Sequence, residues 1–357
     1  MIKGQSIKLT WDIGTAYDLF VSLEVLHNPD DFDLRGMWAA GVRSRVPMAE
    51  RKVLEDASRM MHIPLHWIFL LPKPKDSDSA LWILSQLPAE ERLPALLFQR
   101  DFPDRLKQIY QEVSQRGAWN ENDLNDLKAI LKPKKKRYSE KDQVNILDWW
   151  SQPGEFGERF LAALRSYHHE FFAEEESRIR PALQDSLARA QEIAQTRNVF
   201  DLVEDLSQGV HFTNLSNLSE LILAPSYWST PLVFFDKLAE ERMLMTYGAR
   251  PANASLVPGE LVPDALLRGL KALADPTRLR ILRYLVDKPL TPAELSRLLR
   301  LRAPTVVHHL HALRIAGLVH LYVEEGSDRR YAVRQESTQG LLASLREFLN
   351  ESKDYPQ

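Results

Sequence analysis

Residues 270–333 read LKALADPTRLRILRYLVDKPLTPAELSRLLRLRAPTVVHHLHALRIAGLVHLYVEEGSDRRYAV, and this stretch decides the architecture of the C-terminal region. Leu282, Leu285, Leu295, Leu298, Leu299, Val306, Leu310 and Leu313 recur at the three- and four-residue spacing of amphipathic helices. Thr291 with Glu294 makes a capping box, and Pro292 occupies the first helical position, where a missing N–H costs nothing. That pattern predicts a helix over 291–299. A short turn at 300–303 leads to Pro304, which opens a second helix running to about Ala316, where Gly317 ends it.

At one hundred degrees per residue, Val306, Leu310 and Leu313 form the inward stripe of that second helix. Pro304, His308, His311 and Ile315 lie roughly opposite, flanked by Thr305 and Ala312. After Gly317, the alternation of Val319, Leu321 and Val323, a turn at EEGSD, and then Tyr331 and Val333 describe a two-stranded hairpin. Its second strand begins with Arg329 and Arg330. Two helices joined by a tight turn and followed by a basic hairpin read as a winged helix-turn-helix, a shape that fits the major groove of DNA.

These residues resemble the ArsR-type family of bacterial winged-helix regulators. The likeness is carried by LADPTRLRIL at 273–282, TVVHHL at 305–310, Leu313-Arg314, and Ala316-Gly317-Leu318-Val319, and it spans about ninety residues. It implies a DNA-binding transcriptional regulator, with double-stranded DNA as partner and a homodimer paired through the helices before and after the motif. Leu266, Leu270 and Leu273 on one side, and Leu342, Leu345, Phe348 and Leu349 on the other, supply apolar stripes for that pairing. The same stripes would also serve to pack on the rest of the chain. The candidate DNA contacts are Thr305 and His308 at the groove floor, Arg302 and His311 at its edges, Pro304 on the same outward face, and Arg329, Arg330 and Tyr331 for backbone contacts in the wing. Members that sense soft metals carry paired cysteines in the first motif helix, whereas this chain has no cysteine, which excludes thiolate sensing of arsenic, cadmium or lead. Members that bind zinc on the C-terminal helix use Asp and His, and residues 341–350 contain neither. Arg302 and Val307 stand where the family usually has Ser or Thr, so base contacts are expected to differ. No metal site and no cofactor are predicted.

Net charge refines the DNA reading. The whole chain carries −3, but residues 264–334 hold 13 Lys and Arg against 7 Asp and Glu, a local balance of +6 that leaves −9 elsewhere. Basic residues concentrated on one domain are the electrostatic footprint of phosphate binding. With 44% hydrophobic and 27% charged residues and no apolar run near the roughly 18 residues of a membrane span, a cytoplasmic protein is expected. Residues 1–11 lack a signal-peptide core, so no export is expected.

The fold class predicted is mainly α with small β elements, a helical N-terminal domain over 1–262 followed by the winged helix-turn-helix over 263–357. Apolar periodicity predicts helices near 49–61, 104–113, 123–131, 140–150, 155–172 and 182–196, with Ser139 as a cap toward Asp142. The basic run at 132–137 reads as a loop, either solvated or touching DNA outside the core site. Between Leu221 and Arg250, apolar runs broken by Pro and Gly predict two or three strands. This segment, with TAYDLFVSLEVLH and GMWAAGVRSR, is loosely similar to N-terminal domains fused to ArsR-type winged helices, a likeness that brings no known ligand. Trp11, Tyr17, Trp38, Trp67, Tyr227, Trp228 and Tyr247 could line a pocket for a planar effector, with Arg43, Arg45 and Arg250 as its cations, or could be core.

Tyr167-His168-His169-Glu170 and the acids at 174–176 raise a metal site, but adjacent histidines on a helix point about one hundred degrees apart, which favours a helix surface. No nucleophile elbow, phosphate loop or dinucleotide fingerprint is present, and 14 glycines in 357 residues leave little for phosphate-cradling loops, so no enzyme is expected. The reading that follows is a dimeric repressor under an unknown non-thiolate signal, with a small-molecule effector as one option. Its rivals are an enzyme or ligand-binding protein that uses the winged helix for docking, and a non-sensing architectural DNA binder.

Overall fold

The computed structural model describes residues 7–131, 138–323 and 328–350. A short strand β1 (Lys8–Trp11) is followed by α1 (Thr15–His27), a 3-10 turn (Pro29–Phe32), α2 (Gly36–Arg45), α3 (Met48–Met60), α4 (Leu65–Leu70), α5 (Ser77–Gln86) and α6 (Ala89–Leu97). Next come α7 (Asp104–Arg116), α8 (Glu121–Leu131), α9 (Glu140–Ser151) and α10 (Pro153–Tyr167), which continues through a π-helical turn (His168–Phe172) into α11 (Ala173–Ala194). Then α12 (Val199–Leu206) and β2 (Val210–Phe212) precede β3 (Glu220–Ser226), β4 (Phe234–Ala239) and β5 (Arg242–Gly248). The C-terminal part comprises α13 (Asp264–Leu273), α14 (Pro276–Asp287), α15 (Pro292–Leu299), α16 (Ala303–Ile315), β6 (Val319–Val323), β7 (Arg330–Val333) and α17 (Gln335–Asn350). The mainly helical architecture with a winged helix near the C-terminus is as the sequence leads one to expect. Among the described residues, no helix is long and apolar enough to cross a membrane.

Local chemistry sets many of these boundaries. Ser139 and Asp142 form the capping box that starts α9, Asn198 caps α12 through the Asp201 N–H, and α7 stops where Gly117 turns left-handed at φ 68°. The basic run at 132–137 and most of the EEGSD turn (324–327) lie outside the described residues.

The larger sheet has the order β1-β3-β5-β4, with β1, β3 and β5 parallel and β4 returning antiparallel to β5. Every residue of β3 from Leu221 to Ser226 is buried, which is why that strand reads as a continuous apolar run. Side chains alternate between two cores. Ile222, Ala224 and Leu244 join the large helical core, while Leu221, Leu223, Met245 and Tyr247 join a smaller one with Leu202, Val203 and Val210. A third core, built from Ala272, Ile281, Leu285, Leu295, Val306, Leu310, Leu313, Val319 and others, belongs to the winged helix alone.

The wing differs from the hairpin read in the sequence. A third strand, β2, pairs parallel to β6 with Val210 beside Leu321, His211 beside Tyr322 and Phe212 beside Val323, so the sheet runs β2-β6-β7. The inner edge of the wing is thereby closed by the N-terminal region.

Candidate nucleic-acid interface

The helix-turn-helix is assembled from capped, short elements. Asp275 accepts from the Arg278 N–H at the start of α14, and the Thr291–Glu294 capping box starts α15 with Pro292 in its first turn. Arg300 ends α15 in a left-handed conformation at φ 56°, while the Leu301 N–H donates to the Ser296 carbonyl at 3.1 Å. This tight stop redirects the chain into α16, whose Val306, Leu310 and Leu313 are buried in the domain core.

Arg302 occupies the N-cap position of α16 with no side-chain bond to the helix, which leaves its guanidinium open to an anion, while in the first turn Pro304 has no N–H and the Thr305 N–H donates to the Arg302 carbonyl at 3.0 Å. Arg302, Pro304, Thr305, Val307 and His308 are exposed. Val307 was marked in the sequence only as a departure from the family pattern, yet it is 50% exposed on this face, where a methyl group can meet a thymine methyl. The second half of the helix is different. His311 is half-buried, with Nε2 at 3.2 Å from the Asp31 carbonyl, and Ile315 is buried. Ile315 therefore does not belong to the outward stripe assigned from helical angle: that arithmetic cannot see α13, which packs on α16, or the 29–33 turn, whose Asp31 meets His311 and whose Asp33 pairs with Lys271 at 3.3 Å.

Basic residues divide the same way. Arg329 and Arg330 in the wing are exposed, as are Arg297 and Arg300 beside the turn. Arg314 and Arg268 are buried and serve the interior. Arg314 reaches from α16 to the end of α12, donating from Nη2 to the Ser207 carbonyl at 2.7 Å and from Nη1 to the Gln208 carbonyl at 3.3 Å. Its positive charge faces the negative end of that helix, and burial holds its pKa down to about 10, so it stays charged. Tyr331 packs its ring in the domain core, 9% exposed, with its backbone bridging Leu290 at 2.9 Å in both directions.

The candidate pairing residues are spread over two helices that touch within one chain. Leu266 is buried, and α13 crosses α17 so closely that a Cβ on Gly269 would lie 2.5 Å from Leu341. Leu273, Leu345 and Phe348 are half-buried, Leu270 is at the margin of exposure, and Leu342 and Leu349 are exposed. A groove of about 350 Å³ runs between these helices, lined by Leu266, Leu341, Phe348, Gln208 and Arg334 among others.

In the N-terminal region the proposed aromatic set is mostly core. Tyr17, Trp228 and Tyr247 are fully buried, Trp67 and Tyr227 nearly so, Trp11 and Trp38 are half-buried, and Trp38 stacks on Trp228 at 6.2 Å. Arg250 is buried and donates to the Thr230 carbonyl at 2.7 Å, and Arg45 sits over the Phe171 ring. Arg43 lines a polar cleft with His27, Arg51, Glu55 and Arg59. His168 bonds Ser77 Oγ at 2.9 Å and stays 3.9 Å from Glu176, whereas His169 points to solvent.

Comparison with known proteins agrees with the C-terminal geometry. Residues 273–322 match the family model for a helix-turn-helix domain. Over 86 residues the chain is 41% identical to the HTH-type transcriptional regulator CmtR of Mycobacterium bovis, covering 24% of this chain and 72% of that one. The CmtR of Mycobacterium tuberculosis gives the same figures. Among solved structures, an ArsR family transcriptional regulator, RHA00566, is matched at 28% identity over 25% of this chain and 95% of that one, with a TM-score of 0.21. Through residues that build α14, the capped α15, the exposed start of α16 and the first wing strand, the chain belongs to the ArsR-type family of winged helix-turn-helix DNA-binding transcriptional regulators.

Proposed function

We propose that the chain works in the cytoplasm, without catalysis of its own, as a dimeric repressor. It occupies a roughly palindromic operator and blocks the promoter, with α16 of each protomer in a major groove and the wing arginines on the flanking backbone. The observation that carries this reading is the exposed row Arg302, Thr305, Val307 and His308 on the same domain as the exposed pair Arg329 and Arg330. Pairing is supported by α17, where Leu341 is buried but Leu342 and Leu349 are left uncovered, a pattern that a second copy would bury. Control by a signal is supported by the contacts that join the N-terminal region to both halves of the DNA-binding unit, through Asp31 on α16 and β2 on the wing. A signal acts only by binding the DNA-competent and incompetent dimers with different affinity.

Footprinting of the full chain on its own upstream DNA, beside sedimentation of the free protein, tests this. Two protected half-sites about one helical turn apart, together with a dimer that Leu342→Asp/Leu349→Asp converts to monomer, are the expected results. A single protected half-site bound by a monomer would overturn the dimer.

A further inference from the structure

Glu204, His211 and His320 bring three ligand atoms to one point at the seam between the N-terminal region and the wing. Glu204 Oε1 lies 3.1 Å from His211 Nε2 and 3.1 Å from His320 Nδ1, and the two nitrogens are 3.3 Å apart. Among the described residues this is the one group of three or more His, Asp or Glu side chains so placed. Zinc holds nitrogen and oxygen ligands at about 2.0–2.1 Å, and two such ligands at the tetrahedral angle are about 3.3 Å apart. The three measured edges therefore outline one face of a tetrahedron around an ion of that size.

Each edge of the triangle is also within hydrogen-bond range, and which proton sits where depends on the histidine tautomers. With both imidazoles bare at these nitrogens, all three atoms instead offer lone pairs to one point, the arrangement a cation needs.

The surroundings hold the ligands in place. Glu204 sits on α12 and His211 on β2, joined by a turn in which Gly209 has φ 99° and in which an added Cβ would press within 3.3 Å of His320 Nδ1. The His211 ring lies flat on Tyr322 at 4.4 Å and 1°, and the outer nitrogen of His320 is 3.9 Å from Glu336, which Arg334 holds at 3.0 Å. All three ligand residues are half-buried, so an ion can enter and keep a water as its fourth ligand. Neither the first motif helix nor the C-terminal helix contributes a ligand.

We propose that these three residues bind one divalent ion of the zinc class, which clamps β2 onto the wing strand β6. The site needs no DNA and does not depend on the repressor reading. Cobalt(II) is the probe, titrated into the tag-free full chain after chelation, and followed by visible absorption and equilibrium dialysis. One Co²⁺ per chain with the intense bands of a four- or five-coordinate ion, displaced by Zn²⁺, is expected. His320→Ala, His211→Ala and Glu204→Gln each should weaken binding at least about 100-fold, while His169→Ala, at an exposed histidine away from the site, leaves it unchanged. Far-UV circular dichroism of the metal-free variants separates lost ligands from lost fold, and His320→Gln, which keeps a polar side chain at the seam, repeats the test should His320→Ala unfold. Pale six-coordinate binding, or binding that survives all three substitutions, would overturn the site.

Discussion

Arg330 and Arg314 carry the same charge in the same domain, yet their surroundings give them opposite uses. Arg330 is exposed at the start of β7, free to neutralise a phosphate. Its replacement by Ala is expected to weaken all DNA sequences about equally and to lower the slope of log affinity against log salt by about 1. His308, on the open half of α16, should behave differently: His308→Ala relaxes preference at one base-pair position, at about 1–3 kcal/mol, with little change in slope. A binding selection on randomised sites reads that difference. Arg314 instead satisfies two carbonyls at the end of α12, so Arg314→Met is expected to lower folding stability by about 2 kcal/mol in denaturant titration. Composition counts these cations alike. Burial, which sequence does not display, separates them, and it also turns Tyr331 and Ile315 inward.

At the level of elements, legibility follows the range of the signal. The capping boxes of α9 and α15 are visible in the sequence because donor and acceptor lie within three residues. Thr291→Ala should therefore cost about 1 kcal/mol through α15 alone, measured by thermal or chemical unfolding, and no loss would show that the box is idle. Strands β1 and β2, of four and three residues, are too short to show alternation and take their register from partners far along the chain: Lys8 pairs with Glu220, and Val210 with Leu321. Helix α1 escapes a periodicity search for another reason. Residues from Thr15 to Leu23 are buried all round, so no polar face marks the period. The Glu204, His211 and His320 cluster has no motif spacing either, since the two histidines are 109 residues apart and meet only through the β2–β6 pairing.

At the scale of the whole molecule, a domain assigned to DNA is fused to a helical region with its own buried polar network. Asp18, fully buried on α1, accepts from Ser226 Oγ and the Trp228 N–H at 2.8 Å each, while its other oxygen has no hydrogen-bond partner among the described residues. Burial raises its carboxyl to about 7. A folded-state value above the unfolded one near 3.9 means that the folded chain holds the extra proton, so stability falls as pH rises from about 4 to about 7. His27 opposes this over part of the window, because burial lowers its imidazole to about 4 and stability rises with pH toward its unfolded value near 6.5. Asp18→Asn removes the first effect and keeps the second. Its stability relative to the parent should climb by a few kcal/mol between pH 4 and 7, and a pH-independent difference would contradict the assignment. Sequence-specific DNA recognition by α16 and the wing is the proposed property from which repression follows. Binding of the full chain to its own upstream DNA, against scrambled DNA of equal length across a salt series, tests it most directly. Affinity should fall with salt on both DNAs while a large preference for the native sequence persists, and equal affinity on both, lost together as salt rises, would contradict it.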